Sequence, residues 1–160
     1  MTGTPLCDRI RALFPADVIE TSDFRGEEAA RIRPEGIVRV VGRLRADPEF
    51  AFDFLMDLSA VDWPDRKPRF EVVYHLYSLA RRHRIRLKVP VPEEAPEVDS
   101  LSGEYGAADW FEREVYDMFG IRFRGHPNLR RILMYEGFEG HPLRKDYPIR
   151  RRQPLIGPKN

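Results

Sequence analysis

Hydrophobic positions along the chain alternate between a helical and a strand period. Leu6, Ile10, Leu13 and Phe14 recur at helical spacing and Pro15 closes the run, so a short N-terminal helix is predicted over Pro5 to Phe14. Ala16 to Asp23 reads as a strand. From Pro34, a residue favoured at helix starts, Ile37, Val38, Val41 and Leu44 form an apolar stripe between Arg39, Arg43 and Arg45. Phe50, Phe52, Phe54 and Leu55 carry the apolar pattern into a further helical turn, ahead of a strand at Leu58 to Val61. The period then becomes two. Phe70, Val72, Tyr74 and Leu76 alternate in one strand and Ile85, Leu87, Val89 and Val91 in the next, with Ala80 to Arg82 turning between them. The second strand keeps Arg84, Arg86 and Lys88 on its other side, which predicts an antiparallel sheet with one covered face. Pro92 to Pro96 is an acidic connector, and Val98 to Tyr105 leads to the stretch on which the chain converges.

That stretch, Trp110 to Pro148, reads WFEREVYDMFGIRFRGHPNLRRILMYEGFEGHPLRKDYP. Phe111, Val115, Met118 and Phe119 share a helix face, Arg113 stands four residues before Asp117 on another, and Gly120 is a C-cap. Beyond it, Gly125-His126-Pro127 and Gly140-His141-Pro142 interrupt regular structure and predict an extended arm with turns. Without a continuous backbone ladder, at about 1–2 kcal/mol of ordering entropy per residue, such an arm is expected to need a partner surface to hold it.

Charge sharpens this picture. Residues 121–160 hold ten Lys or Arg and three Asp or Glu, so a chain of formal charge +1 is a −6 body with a +7 tail. Arg130, Arg131, Arg144 and Lys145 lie among Leu129, Ile132, Leu133, Met134, Phe138 and Leu143, a mixture that fits a protein interface. The 160 residues suffice for one domain plus an arm, and 14 prolines and 11 glycines concentrate toward the end. No apolar run approaches the roughly 18 residues needed to cross a bilayer, and charges interrupt the start, so a protein that is cytoplasmic, or membrane-associated only through partners, is expected.

Candidate chemistry is sparse. One cysteine, Cys7, excludes an internal disulfide and a self-contained iron–sulfur or cysteine-based zinc site. His126 and His141 lack the short, fixed spacing of metal ligands and read as turn residues bonded to backbone. Gly120 to Gly125 has the glycine spacing of a phosphate loop, but His126-Pro127 stand where Lys and Ser/Thr are needed. Arginine makes up 23 of 27 basic residues, which raises an RNA-binding surface; the acidic body and the absence of an RNP-like pattern weigh against it. The pattern predicts an α+β fold, a mixed or antiparallel sheet of about four strands with helices on one face, then a helix and a basic C-terminal arm. The expected division is a core over 1–106, the helix and arm over 107–148, and a tail over 149–160.

The strings EREVYDMFGIRFRGHPNLRRIL and GHPLRKDYP closely resemble the signature of the thirty-kilodalton, C-type subunit of the proton-pumping NADH:quinone oxidoreductase, respiratory complex I. Looser similarity extends back to the hairpin near Val72 and to Ala60-Val61-Asp62, while Phe138 stands where Trp is frequent. The resemblance implies the same fold and a non-catalytic, peripheral-arm role on the cytoplasmic side of the cell membrane. It implies no cofactor in this chain, with FMN and iron–sulfur clusters in partner subunits. The implied partners are the D-like and cluster-bearing neighbours of complex I, with no nucleic acid and only indirect membrane contact. The expected interface runs over Glu112, Arg113, Asp117 and Phe119 of the helix, then Gly125, His126, Pro127, Leu129, Arg130, Arg131 and Leu133, and finally His141, Pro142, Leu143, Arg144, Lys145, Asp146 and Tyr147. The alternatives are the equivalent subunit of a membrane-bound hydrogenase or ferredoxin-dependent complex, and a free-standing RNA-binding domain.

Overall fold

The computed structural model describes residues 5–150 and 153–154, so most of the expected tail lies outside the described residues. Helix α1 (Leu6–Leu13) leads into strands β1 (Val18–Phe24) and β2 (Glu27–Ile32); a short 3-10 turn precedes α2 (Ile37–Ala46). Strands β3 (Phe54–Asp62), β4 (Phe70–Ser78), β5 (His83–Val91) and β6 (Glu97–Asp99) follow, then α3 (Ala108–Phe119) and β7 (Arg122–Arg124).

The main sheet has five strands in the order β1-β2-β5-β4-β3. All its pairs are antiparallel except β2 with β5, which makes it mixed. The sequence pattern missed β2, because Glu27-Glu28-Ala29-Ala30 offers no clean alternation. Phe50 and Phe52 do not form the expected helical turn: both are buried ahead of β3, which already begins at Phe54. A second sheet pairs β6 with β7 in parallel, so the chain beyond Gly120 is regular for three residues before the arm begins.

One apolar cluster holds the sheet and the three helices together. Val72, Tyr74 and Leu76 of β4 and Ile85, Leu87 and Val89 of β5 meet Ile10 of α1, Val40, Val41 and Leu44 of α2, and Val115 and Met118 of α3. The stripe on α2 is Ile37, Val40, Val41 and Leu44; Val38 faces outward. Each fully buried Leu, Ile, Val or Phe stabilises by roughly 1.5–3 kcal/mol before entropy is counted, so this layer is the source of cohesion. It also runs continuously through Leu101, Tyr105, Ala108 and Phe123, across the boundary expected after residue 106. Among the described residues the opposite sheet face carries no helix and presents charged rows, among them Arg86, His75 and Asp57 on neighbouring strands.

Candidate partner interface

Helix α3 ends where the sequence predicts, at Gly120 in the left-handed region (φ 74°), whose N–H bonds to the Tyr116 carbonyl at 2.9 Å. Its apolar stripe lies on the core, and its supposed polar face is buried too, because the arm folds back over it. Asp117 organises the fold-back. Its Oδ2 accepts the N–H groups of Ile132 (3.0 Å), Leu133 (2.8 Å) and Met134 (2.8 Å), and its Oδ1 accepts Nη1 of Arg131 at 3.0 Å. Three successive amides thus converge on one enclosed carboxylate, a charge-assisted replacement for the ladder that glycine and proline deny the arm. Arg113 does not pair with Asp117. It donates Nε to the Arg130 carbonyl at 3.2 Å and Nη2 to that of Arg131 at 3.4 Å, with the Trp110 ring 5.2 Å away.

The arm's second half caps the helix. His141 Nδ1 donates to the Asp117 carbonyl (2.9 Å), the Leu143 N–H to that of Met118 (3.1 Å), and Arg144 Nε to that of Phe119 (2.6 Å). The carbonyls orphaned at a helix C-terminus are satisfied, with a guanidinium against the negative end of the dipole. His141 and Arg144 press so closely on Gly120 that a Cβ there would stand 2.5 Å from His141 Nε2 and 2.7 Å from Arg144 Nη2. Asp62 at the end of β3 then accepts the Lys145 N–H at 2.7 Å while Arg69 grips both its oxygens at 2.7 and 2.8 Å. Arg69 also reaches Glu93, and Asp146 at 3.0 Å, and its hydrogen bonds hold the Asp62 and Asp146 carboxyls below the usual range.

A third carboxylate fixes the start of the helix. Glu112 accepts the Ser100 hydroxyl and the Leu101 N–H, both at 2.6 Å, and burial pushes its carboxyl up. His126 donates Nε2–H to the Asp109 carbonyl at 3.1 Å and accepts the Asn128 N–H on Nδ1 at 3.0 Å, the backbone-bonded turn role read from Gly-His-Pro.

Comparison with known proteins agrees with this architecture. The sequence profile of the family described as "Respiratory-chain NADH dehydrogenase, 30 Kd subunit" matches residues 30–153. The chain belongs to this family. It is 54% identical to the C-type NADH-quinone oxidoreductase subunit of Roseiflexus sp. (strain RS-1) over 93% of this chain and 86% of the relative. With that of Rhodobacter capsulatus it shares 51% over 84% of this chain and 67% of the relative. Among solved structures, the trypsin-resistant fragment (1-134) of Nqo5 superposes with a TM-score of 0.68 at 32% identity, over 76% of this chain and 95% of that one. A chain of the membrane-bound sulfane sulfur reductase, an archaeal respiratory membrane complex, shares the fold (TM-score 0.74, 23% identity, 89% and 83% covered). These relatives do not favour the hydrogenase or RNA-binding alternatives.

For this member of the 30 kDa subunit family, the expected interface needs correction. Glu112 and Asp117 are fully buried and Arg113 and Phe119 nearly so, the three charged side chains bonding the chain's own backbone, so these four offer little surface. The chain itself supplies acceptors for several of the arm's amides, those of Ile132, Leu133, Met134, Leu143 and Lys145 among them. Gly125, Pro127, Arg130, Leu133, Leu143, Lys145 and Asp146 are exposed; His126, Leu129, Arg131, His141, Pro142, Arg144 and Tyr147 are half-buried. Trp110, absent from the expected interface, is 60% exposed, and its position opposite the apolar stripe of α3 was a signal of that. Asp62 and Arg69 were missed for a better reason: no local spacing links them to Lys145 or Asp146.

Proposed function

We propose that this chain is a non-catalytic brace in the peripheral arm of an NADH:quinone oxidoreductase, in which other subunits carry electrons from NADH through FMN and iron–sulfur clusters to quinone, coupled to proton translocation. The reading rests on the 54% identity to the Roseiflexus C-type subunit across 93% of the chain. In this role the chain carries no active site and no resident cofactor of its own. Cys7 is the single cysteine, and burial together with Glu28 pushes its thiol up to about 11, so the thiolate a metal needs is scarce near neutrality. Among the described residues no three His, Cys, Asp or Glu side chains gather closely enough to hold a metal ion.

Trp110 of α3 and Arg130, Leu133, Leu143 and Lys145 of the folded-back arm are exposed side chains, apolar anchors among cations. Such a patch fits an acidic, partly apolar surface on a D-like neighbour, with cluster-bearing subunits nearby. Membrane association would be through the complex, on its cytoplasmic side; no helix of the described residues is long and apolar enough to cross a membrane. Purification of the native assembly by a tag on this chain tests the reading. The expected result is co-purification with flavin- and cluster-bearing subunits and NADH:quinone activity that falls when Leu133→Asp and Leu143→Asp weaken assembly. A chain that migrates alone, or that reduces quinone by itself, would overturn it.

A further inference from the structure

The bare face of the main sheet carries a cluster that the interface on the arm leaves unused. Arg31 on β2 and Lys88 on β5 are direct neighbours in the parallel register. Two like charges at adjacent positions repel each other, and nothing in the core requires them there. Their counter-charges are loose: Glu71 lies 3.7 Å from Arg31 Nε and 3.9 Å from Lys88 Nζ, and Glu20 lies 3.7 Å from Arg31 Nη1. None of these separations is a hydrogen bond. Arg31 Nε is enclosed and has no hydrogen-bond partner, an unusual state for a charged donor. A cavity of about 260 Å³ opens beside it, bounded by Arg31, Lys88, Glu71 and Glu20 and, from the loop after β3, Trp63 with Arg66 stacked 4.0 Å over its ring.

We propose that this cavity binds an oxyanion, held by Arg31, Lys88 and Arg66, with Arg31 Nε as the buried donor. The three cations exceed the two carboxylates around the cavity, so an entering anion gains charge-assisted bonds that Glu71 and Glu20 stand too far away to make. Arginine suits the role because its planar fork gives two parallel donors to a phosphate or carboxylate, and the cavity has room for several such oxygens. The bare sheet face leaves the site open from outside. The occupant is either a free phosphate-like ion or a carboxylate side chain from another protein of the assembly, which share this chemistry.

Titration of the purified chain with inorganic phosphate at low ionic strength, followed by NMR of the Arg31 Nε–H and the Trp63 indole N–H, tests the site. A saturable shift of both is expected. Arg31→Gln and Lys88→Gln should each weaken it about tenfold or more, whereas Arg122→Gln, a charge-matched change outside the cavity, should leave it unaltered. Glu71→Gln should tighten it by removing the competing carboxylate, an effect that loss of folding would not mimic. Absence of saturation, or equal weakening by all the cation variants, overturns the proposal. In the assembled complex the sources separate: a free ion remains titratable there, while a partner's carboxylate blocks phosphate and makes Arg31→Gln impair assembly.

Discussion

The sheet with its three helices and the C-terminal arm are held by different forces. The sheet buries a continuous apolar layer, from Ile10 and Leu44 to Leu87 and Phe123, and its backbone groups pair in ladders. The arm buries little: Leu133 is 56% exposed and Leu143 50%, and between Gly125 and Pro148 no strand or helix forms. Its order comes from a few enclosed groups of the body, Asp117, Arg113 and Asp62, that bond its main chain directly. Hydrophobic cohesion is spread over dozens of contacts and tolerates the loss of one. Cohesion through a single carboxylate does not, and a region built that way opens as a unit at lower free energy than the core.

The largest expected effect follows from removing that carboxylate. Asp117→Ala strands three amides and the Arg131 guanidinium, and loss of one partner from a buried charged network costs about 3–5 kcal/mol. Hydrogen exchange should show residues 129–147 losing protection while Val72–Leu76 and Ile85–Val89 keep theirs. If sheet and arm lost protection together, the two regions would be one cooperative unit. A smaller change tests the same joint from the helix side. Gly120→Ala places a Cβ in the left-handed region and against His141 and Arg144, both already bonded to α3 carbonyls. Backbone strain and the displaced caps together should cost about 2 kcal/mol, read as a lowered denaturation midpoint and new trypsin cleavage in the arm. Unchanged resistance of the arm would show that His141 and Arg144 are not what holds it.

The two regions also differ in how far the sequence disclosed them. The β4–β5 hairpin was legible because large apolar residues alternate along both strands and point into the core, and the end of α3 because Gly120 is a left-handed cap. β2 escaped because both alanines at Ala29 and Ala30 are buried, one on each face, so the strand shows no contrast. The arm's composition was visible and its anchorage was not. Asp117 stands one helical turn after Arg113 and so reads as half of a surface pair, whereas its partners are backbone amides 15, 16 and 17 residues further on. Every residue other than proline owns a backbone N–H, so no side-chain pattern announces one that is recruited. The buried charges were consequently assigned to a partner.

Acid titration gives the finest contrast, because the carboxylate of the body that latches the arm and one that serves the body alone are displaced in opposite directions. Asp62, the arm's latch, is held below its ordinary value chiefly by the hydrogen bonds of Arg69. A depressed folded pKa contributes stability that is fully present above the unfolded value of about 3.9 and lost as pH falls through the folded one. Glu112, enclosed in the body beside Ser100 and Leu101, is raised by burial. Its folded form binds the proton more tightly, so its contribution is favourable below the unfolded value of about 4.3 and is lost as pH rises through the raised one. Glu112→Gln removes that loss while keeping an oxygen for the Leu101 N–H and an amide that can donate to the Ser100 hydroxyl. Denaturant unfolding followed from about pH 4 upward should therefore show the variant level with the native chain in acid and more stable near neutrality, by on the order of 1 kcal/mol. Asp62→Asn should instead weaken the arm across that whole range and converge with the native chain only when the series is carried below the unfolded carboxylate value of about 3.9. A Glu112→Gln variant less stable than the native chain at neutral pH would mean that the ionised carboxylate, bonded as Asp117 is, holds the body in the way the arm is held, and the distinction between the regions would fail at that residue.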